Sequence, residues 1–484
     1  MKENITGSVT LLGAGCGKGL ISTKGLTILQ NADVVVYDDL IDTDLLLEIK
    51  ENCELIYVGK RFENHSEKQE TINEILAKKA REGKAVVRLK GGDGFVFGRG
   101  GEEMLALREQ KIPVRIIPGI SSAIAVPENL GIPVTHRGMA QSVTFITGHT
   151  ASEIHEDYEA LAKLKGTLVF FMGLHNAENI AAELMKYGKD PMTPAAILCN
   201  GFRAKEKRIN GTLKDTAEMV QKAETPAIFL VGEVARLALT GTMYEPLKGT
   251  SVTVTGTRYF TDKLEKLLIE QGAYVEKKPG IEIYPDYAQI PENLAEYDWA
   301  VFTSANGIRC FFSYVQEKEI DLRQLAHFKF ACIGSGTAKM LKSYGFKADF
   351  IPQDYTAEAL GRELAATIEP EEKLLILRAQ NGSELLNREL DRCGVTYRDC
   401  KIYDTKPVSQ VIENQNKEET DYIVFASALG AKAYLEEHAL PDSVRVVCIG
   451  GATAQVLKGR NVLLPKEHTA EAIVDVIVQD YHAL

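Results

Sequence analysis

The stretch Val86–Glu103, VVRLKGGDGFVFGRGGEE, constrains this chain more than any other. Val86, Val87 and Leu89 form a short apolar run with β-branched members, which reads as a buried strand of a parallel sheet, and Gly91-Gly92-Asp93-Gly94 stops it. In an open α/β sheet ligands bind beyond the carboxyl ends of the strands, so Asp93 is expected to face a cleft. The glycines let a ligand lie against bare backbone. Gly98-Arg99-Gly100-Gly101 then turns the chain, and Glu102 and Glu103 open a helix at the end where its dipole favours negative charge. The same local pattern also fits a strand, glycine loop and helix with no ligand.

Around this stretch, strands and helices alternate. Val9–Leu12, Asp33–Tyr37, Ile56–Val58 and Val86–Leu89 read as strands, with helices near Thr23–Asn31 and over Gln69–Glu82. That rhythm calls for a parallel sheet covered on both faces. Strand Val114–Ile117 ends at Pro118-Gly119, and Ser121 and Ser122 stand where the next helix begins, able to cap it or to touch a ligand. Val143–Thr147, Leu168–Met172, Ala195–Cys199 and Ala227–Val231 make a second set of strands. At 484 residues the chain is too long for one core. Its best linker is Tyr244–Gly249, YEPLKG, ahead of a new strand at Ser251–Thr255.

Beyond the linker the sequence echoes itself. Phe302-Thr303-Ser304-Ala305 returns as Phe425-Ala426-Ser427-Ala428, Cys332-Ile333-Gly334-Ser335-Gly336-Thr337-Ala338 as Cys448-Ile449-Gly450-Gly451-Ala452-Thr453-Ala454, and Tyr355-Thr356-Ala357-Glu358-Ala359 as His468-Thr469-Ala470-Glu471-Ala472. So long a spacing means two related α/β lobes, not a solenoid of short repeats.

Composition narrows the partners. A formal charge of −11 argues against nucleic acid or an anionic membrane surface. No run reaches the roughly 18 apolar residues of a membrane span. The start MKENITGSVTLLGAG lacks the layout of a signal peptide, so a cytoplasmic location with reduced thiols is expected. Cysteines 16, 53, 199, 310, 332, 393, 400 and 448 form no CxxC pair, and the nine histidines form no HxxxH cluster, so no metal is expected.

GGDGFVFGRGGEE resembles the signature of the S-adenosylmethionine-dependent uroporphyrinogen-III C-methyltransferases of the tetrapyrrole-methylase superfamily. AGCGKG, ADVVVYDDLI, VGKRFENHSEKQETIN, IIPGISSA, GIPVTHRGMAQSVTFITGH and FFMGL match in the same order, over about the first 245 residues. The resemblance implies two lobes, about 1–118 and 119–247, with the methyl donor between them, and a homodimer formed through this half. It assigns Gly91, Gly92, Asp93 and Val96 to the amino-acid and ribose end of S-adenosylmethionine, with Ser121, Ser122, Met172 and Gly201 completing the pocket. Asp38 and Lys60 match a proton acceptor and a proton donor. Arg61, Arg99, His136 and Arg137 are candidates to hold substrate carboxylates, to which guanidinium forks are well suited. Bland alternatives stand beside these: Met172 as core filler, Asp38 as a surface carboxylate, Lys60 as a solvated lysine. A dinucleotide reading of Gly13-x-Gly15 with Asp38 is weak, because the third glycine position holds Lys18. The first loop, Gly13-Ala14-Gly15-Cys16-Gly17-Lys18, also departs from the family's usual Gly-Ala-Gly-Pro-Gly-Asp, and Glu63 and Gly94 replace a usual glycine and a usual proline. These changes bear on donor affinity and on the number of methyls added.

The repeated blocks, with VTVTGTRYFTDKLEKLL, resemble the uroporphyrinogen-III synthases across about 249–484. The resemblance implies one lobe from about 248–281 plus 407–484, another over about 285–400, and antiparallel connector strands at Ile281–Tyr284 and Lys401–Asp404. It points to Tyr403 as the proton donor that assists loss of hydroxide, although strand tyrosines also simply pack. Ser304, Ser335, Ser427 and Thr453 fall at strand ends, where hydroxyls and backbone N–H groups suit carboxylates. Thr255-Gly256-Thr257-Arg258 departs from the usual Thr-Arg-Pro, which leaves an anion-binding role for Arg258 open.

The expected molecule is therefore α/β throughout, a two-lobed methylase fold followed by a two-lobed parallel-sheet synthase fold. The expected function is bifunctional, in sirohaem or cobalamin biosynthesis. It closes hydroxymethylbilane to uroporphyrinogen III and methylates that product twice, giving precorrin-2 and S-adenosylhomocysteine. The rivals are a methylase acting on a later corrin intermediate, a first half that mainly binds donor, and a second half that binds a tetrapyrrole without closing it.

Overall fold

In the first sheet apolar residues occupy both faces, and the strands are accordingly short and parallel. β1 (Ser8–Gly13), β2 (Val34–Tyr37), β3 (Glu54–Tyr57), β4 (Ala85–Lys90) and β5 (Val114–Ile117) lie in the order β3-β2-β4-β1-β5, every neighbouring pair parallel. Successive side chains point to opposite faces. Val9, Leu11, Val34, Val36 and Val86 therefore pack with Ile72 and Leu76 of the helix Gln69–Arg81, while Leu12, Val35, Val87 and Leu89 pack with Leu29, Leu45 and Leu46. The computed structural model from which this follows describes residues 7–50, 52–59, 69–148, 156–241, 244–407 and 420–483.

The second sheet is mixed. β6 (Val143–Thr147), β7 (Thr167–Phe171), β8 (Pro194–Cys199), β9 (Lys207–Thr212) and β10 (Ala227–Val231) run in the order β6-β7-β10-β8-β9, with only β6 and β7 parallel. β9, KRINGT, has no counterpart in the sequence reading. It is an edge strand in which Ile209 alone is buried, so its polar residues conceal it, and its pairing with β8 is what makes it a strand.

Residues up to Ser251, with Glu270–Glu276, cluster as one compact unit, and the rest of the described chain from Val252 makes up a second. β11 (Ser251–Gly256) and β12 (Tyr274–Pro279) begin a third sheet. The chain then builds a fourth from β13 (Ile281–Pro285), β14 (Trp299–Phe302), β15 (Lys329–Cys332), β16 (Leu374–Ala379) and β17 (Tyr397–Pro407). It returns to the third with β18 (Tyr422–Phe425), β19 (Arg445–Cys448) and β20 (Val462–Leu463). The orders are β12-β11-β18-β19-β20 and β13-β17-β16-β14-β15.

Residues Lys401–Asp404 are part of a longer strand than the connector the sequence suggests. β17 spans 11 residues; its first half runs parallel to β16 and its second half antiparallel to β13, with Tyr284 opposite Asp404. The register jumps from Arg378↔Lys401 to Ala379↔Tyr403, leaving Ile402 as an extra residue. Such a bulge breaks the alternation of faces. Ile402 and Tyr403 are both buried as a result.

The echoed blocks are geometrically alike as well. Ser304 and Ser427 have nearly the same backbone (φ −164°, ψ 157° and φ −161°, ψ 155°), and each hydroxyl accepts the N–H three residues on, Gly307 and Gly430, at 3.0 Å. Both are N-caps of helices that follow a parallel strand. Among the described residues no helix is long and apolar enough to cross a membrane.

Glu372 ties β14 to β15, accepting hydrogen bonds from Trp299 Nε1 at 2.9 Å and Lys329 Nζ at 2.5 Å. Burial alone would raise its carboxyl, but the bonds from Lys329, Trp299 and the Glu369 amide outweigh that and lower it from 4.5 to about 2. A carboxyl lowered on folding stabilises fully above its unfolded value and ceases to do so as pH falls through its folded value. Acidification from about pH 4.5 to about 2 should therefore destabilise the second unit and shift the fluorescence of Trp299, the chain's single tryptophan. Glu372→Gln should flatten that limb of the acid-unfolding curve.

Candidate active sites

Because β1 and β4 are parallel neighbours, the loops that leave them meet. Gly92 N–H bonds to Gly15 O at 2.7 Å and Gly15 N–H to Gly92 O at 3.1 Å. A Cβ on Gly13 would lie 2.4 Å from the Gly119 nitrogen, and one on Gly119 2.1 Å from the Gly92 oxygen, so the three backbones touch with no room for side chains. Gly92 also requires φ +66°, the left-handed region that glycine adopts at no steric cost. Asp93 pins this junction. Its Oδ1 accepts the Phe95 N–H at 2.8 Å and its Oδ2 the Gly119 N–H at 3.0 Å, which leaves lone pairs on both oxygens of a half-buried carboxylate. Val96 closes the same turn, its N–H on Asp93 O at 3.2 Å. Gly91 is pressed by the loop after β2, since a Cβ there would meet Leu40 O at 2.3 Å.

Gly92 faces the start of the next helix: a Cβ there would lie in ordinary contact, 3.8 Å from the Ser122 nitrogen and 3.9 Å from the Ile120 oxygen. Ser121, buried, accepts the Ala123 N–H at 3.4 Å and starts the helix Ser122–Asn129; Ser122 is half-buried. Met172 follows β7 with φ +51° and is 57% exposed, so it does not fill a core. Phe171 beside it packs against Phe97, ring centroids 5.1 Å apart, which brings the end of β7 to the glycine loop. Gly201 follows β8 between Asn200 (φ +51°) and Phe202 (φ +62°), and a Cβ there would strike Val126 Cγ2 at 2.5 Å.

The altered residues of the first loop have local partners. Cys16 packs with the apolar cluster around Ala123 and Val126, and burial pushes its thiol up to about 11, so it stays protonated. Lys18 forms an ion pair with Asp44.

Asp38 is paired with a buried guanidinium, Arg88 Nη2, at 2.8 Å. Arg88 Nε in turn reaches Glu103 Oε1 at 3.3 Å, an oxygen shared with Lys90 Nζ at 3.1 Å and Gln69 Nε2 at 3.2 Å. Burial pulls the Lys90 ammonium below its ordinary value. Sequence reasoning did not find this network. The available signal was the spacing of Arg88 and Lys90, two residues apart on a strand and hence on one face. Lys60 and Arg61 lie outside the described residues. Arg99 (φ +58°) turns its exposed guanidinium onto Glu102 of its own helix, at 2.7 Å and 3.0 Å, while His136 and Arg137 stand exposed in a turn closed by the His136–Ala140 backbone pair.

In the second unit Tyr403 is only 4% exposed and its hydroxyl lies 2.7 Å from Ser304 Oγ. Burial raises its phenol above the ordinary value, against a smaller lowering by the Ser304 bond. Ser304 is thus both helix cap and partner of the phenol. Ser335 opens the helix Ser335–Ser343 half-buried, Ser427 caps the helix Ala428–Glu437, and Thr453 is buried in the helix Gly451–Ala454. Among the described residues no group of three or more His, Cys, Asp or Glu side chains is placed to hold a metal ion.

Residues 8–217 match the family of Tetrapyrrole (Corrin/Porphyrin) Methylases, and residues 262–475 match Uroporphyrinogen-III synthase HemD. The class that the sheets and loops define is therefore a tetrapyrrole methylase followed by a uroporphyrinogen-III synthase fold. The chain is 36% identical to the porphyrin biosynthesis protein HemD of Ruminiclostridium josui across 98% of both chains. It belongs to the family of that protein. Over 48% of its length it is also 53% identical to the uroporphyrinogen-III C-methyltransferase of Methanocaldococcus jannaschii, 98% of which is covered. A crystal structure of uroporphyrin-III C-methyl transferase from Thermus thermophilus complexed with S-adenyl homocysteine is 36% identical, with a TM-score of 0.42, covering 48% of this chain and 94% of that one.

The buried network can be probed by stability. Glu103→Ala leaves the buried Lys90 without its carboxylate while Arg88 keeps Asp38, and should lower the stability of the first unit by about 3 kcal/mol, read as a fall in its urea midpoint. Glu102→Ala, exposed and one position away, should change it by less than about 0.5 kcal/mol.

Proposed function

We propose that the second unit closes hydroxymethylbilane to uroporphyrinogen III and that the first methylates this product twice with S-adenosylmethionine, giving precorrin-2. The observation that carries the reading is the junction of Gly13, Gly92 and Gly119 pinned by Asp93, with Gly92 facing the helix start at Ser122. The tight glycine turn at Gly91 and Gly92, acceptor lone pairs on Asp93, the start of the helix Ser122–Asn129 and the exposed thioether of Met172 fit a molecule with an ammonium, ribose hydroxyls and a sulfonium. When bound, that donor supplies an electrophilic methyl group. The chain's own task is to hold the carbon nucleophile in line and to take one proton. Asp38, fixed by Arg88 at the end of β2, is assigned the proton, and Lys60 its delivery elsewhere on the substrate.

In the second unit the hydroxyl of the linear substrate must leave with a proton, as water. Tyr403, a phenol that burial raises further above its ordinary value, donates that proton, and Ser304 holds its hydroxyl in place. Substrate carboxylates meet the helix starts at Ser304, Ser335 and Ser427 and the buried Thr453, together with Arg61, Arg99, His136 and Arg137 in the first unit. These local donors offset an unfavourable charge of −11. The chain acts in the cytoplasm as a homodimer formed through its first unit.

Anaerobic incubation with hydroxymethylbilane should yield isomer III without donor and its dimethylated form with S-adenosylmethionine. Isomer I alone would refute the synthase reading, and isomer III left unmethylated would refute the methylase reading. Tyr403→Phe should slow formation of isomer III by about 100-fold or more while added uroporphyrinogen III is still methylated at the wild-type rate.

A further inference from the structure

Arg309 lies in the second turn of the helix Ala305–Glu317, five residues after Ser304, and is held in an unusual way. Its guanidinium carbon sits 4.2 Å from the ring centroid of Tyr259, Nη2 donates to Asn306 Oδ1, and Nε is buried with no hydrogen-bond partner. Among the described residues no carboxylate pairs with it. Burial pulls the guanidinium below its ordinary value, and the side chains that act on it electrostatically are the Cys310 thiol and the phenols of Tyr259, Tyr344 and Tyr403.

Leaving such a donor unmade is costly in a poorly solvated place, and charge-assisted bonds to a planar guanidinium are among the strongest available. Arg378, the buried arginine of this unit, has the partners that Arg309 lacks: Asp399 at 2.7 Å, Glu384 at 3.1 Å and Ser383 O at 2.7 Å. The cation at Arg309 is thus built in but not neutralised, next to the Ser304–Tyr403 pair.

We infer that Arg309 binds a side-chain carboxylate of the linear tetrapyrrole and so positions its hydroxymethyl end against Tyr403, with Tyr259 stacking on the guanidinium to fix its plane. This rests on the synthase reading above. Arg309 accepts no proton and breaks no bond; its contribution is to binding and orientation. Lysine cannot replace it, because an ammonium has neither the fork nor the flat face. A purely structural clamp between Arg309 and Tyr259 would instead affect stability and leave substrate affinity alone.

The test uses the full chain. Arg309→Gln should raise KM for hydroxymethylbilane roughly 10- to 100-fold with kcat within about threefold, Arg309→Lys should recover only part of this loss, and both should keep the wild-type urea midpoint to within about 1 kcal/mol. Titration with uroporphyrin III, a stable octacarboxylate, should show one binding phase weakened by a similar factor and less sensitive to salt. An unchanged KM and unchanged binding phases in Arg309→Gln, or full recovery by lysine, would overturn the inference. If the wild-type chain made no isomer III yet Arg309→Gln still weakened uroporphyrin binding, the synthase reading would fail while the carboxylate site stood.

Discussion

The first unit depends on a steric constraint: backbone meets at Gly13, Gly92 and Gly119 so closely that a Cβ on Gly13 or Gly119 would strike it, while Gly92 needs φ +66°. Parallel strands of similar length end level with one another, so the loops beyond β1, β4 and β5 must cross within a small area, and only residues without side chains can do so. Once the backbones are that close, their N–H groups need acceptors. Asp93 supplies one to Gly119 and one to its own turn. The glycines and the aspartate are therefore one device, in which close approach creates donors and a carboxylate satisfies them. Behind it, the buried cluster of Arg88, Lys90 and Glu103 fixes the end of β2, where Asp38 sits.

The second unit solves the same problem with a repeated joint. A parallel strand ends, an extended serine or glycine follows, and a helix begins. Ser304 and Ser427 cap their helices at the same distance, and at the second joint of each lobe an aromatic ring covers the glycine. A Cβ on Gly334 would meet the Tyr355 ring at 2.9 Å, and one on Gly450 the His468 ring at 2.7 Å. The bulge at Ile402 adds what repetition cannot, turning a strand tyrosine toward Ser304.

Features governed by single-residue sterics were legible in the sequence. The glycine clusters marked strand ends, the apolar runs marked a sheet covered on both faces, and the echoed blocks marked the second unit's duplication. Features that depend on who sits opposite were not. Arg88 and Lys90 read as ordinary strand punctuation until the sheet was seen to bury them and Glu103 to answer their charge. The polar edge strand Lys207–Thr212 exists by virtue of its neighbour. Arg99, a candidate carboxylate ligand, is paired at the surface with Glu102 three residues on, a pairing that sequence spacing alone permits but does not dictate. The jump in register that buries both Ile402 and Tyr403 has no mark in the residues themselves.

The two halves of the duplication have also drifted apart at one joint. Where one lobe has Ser335 opening a helix of 9 residues, the other has Gly451 and a helix of 4, and Tyr355 is answered by His468. Exact repetition would have given both lobes the same chemistry at their strand ends; the drift at this joint makes the two lobes chemically distinct.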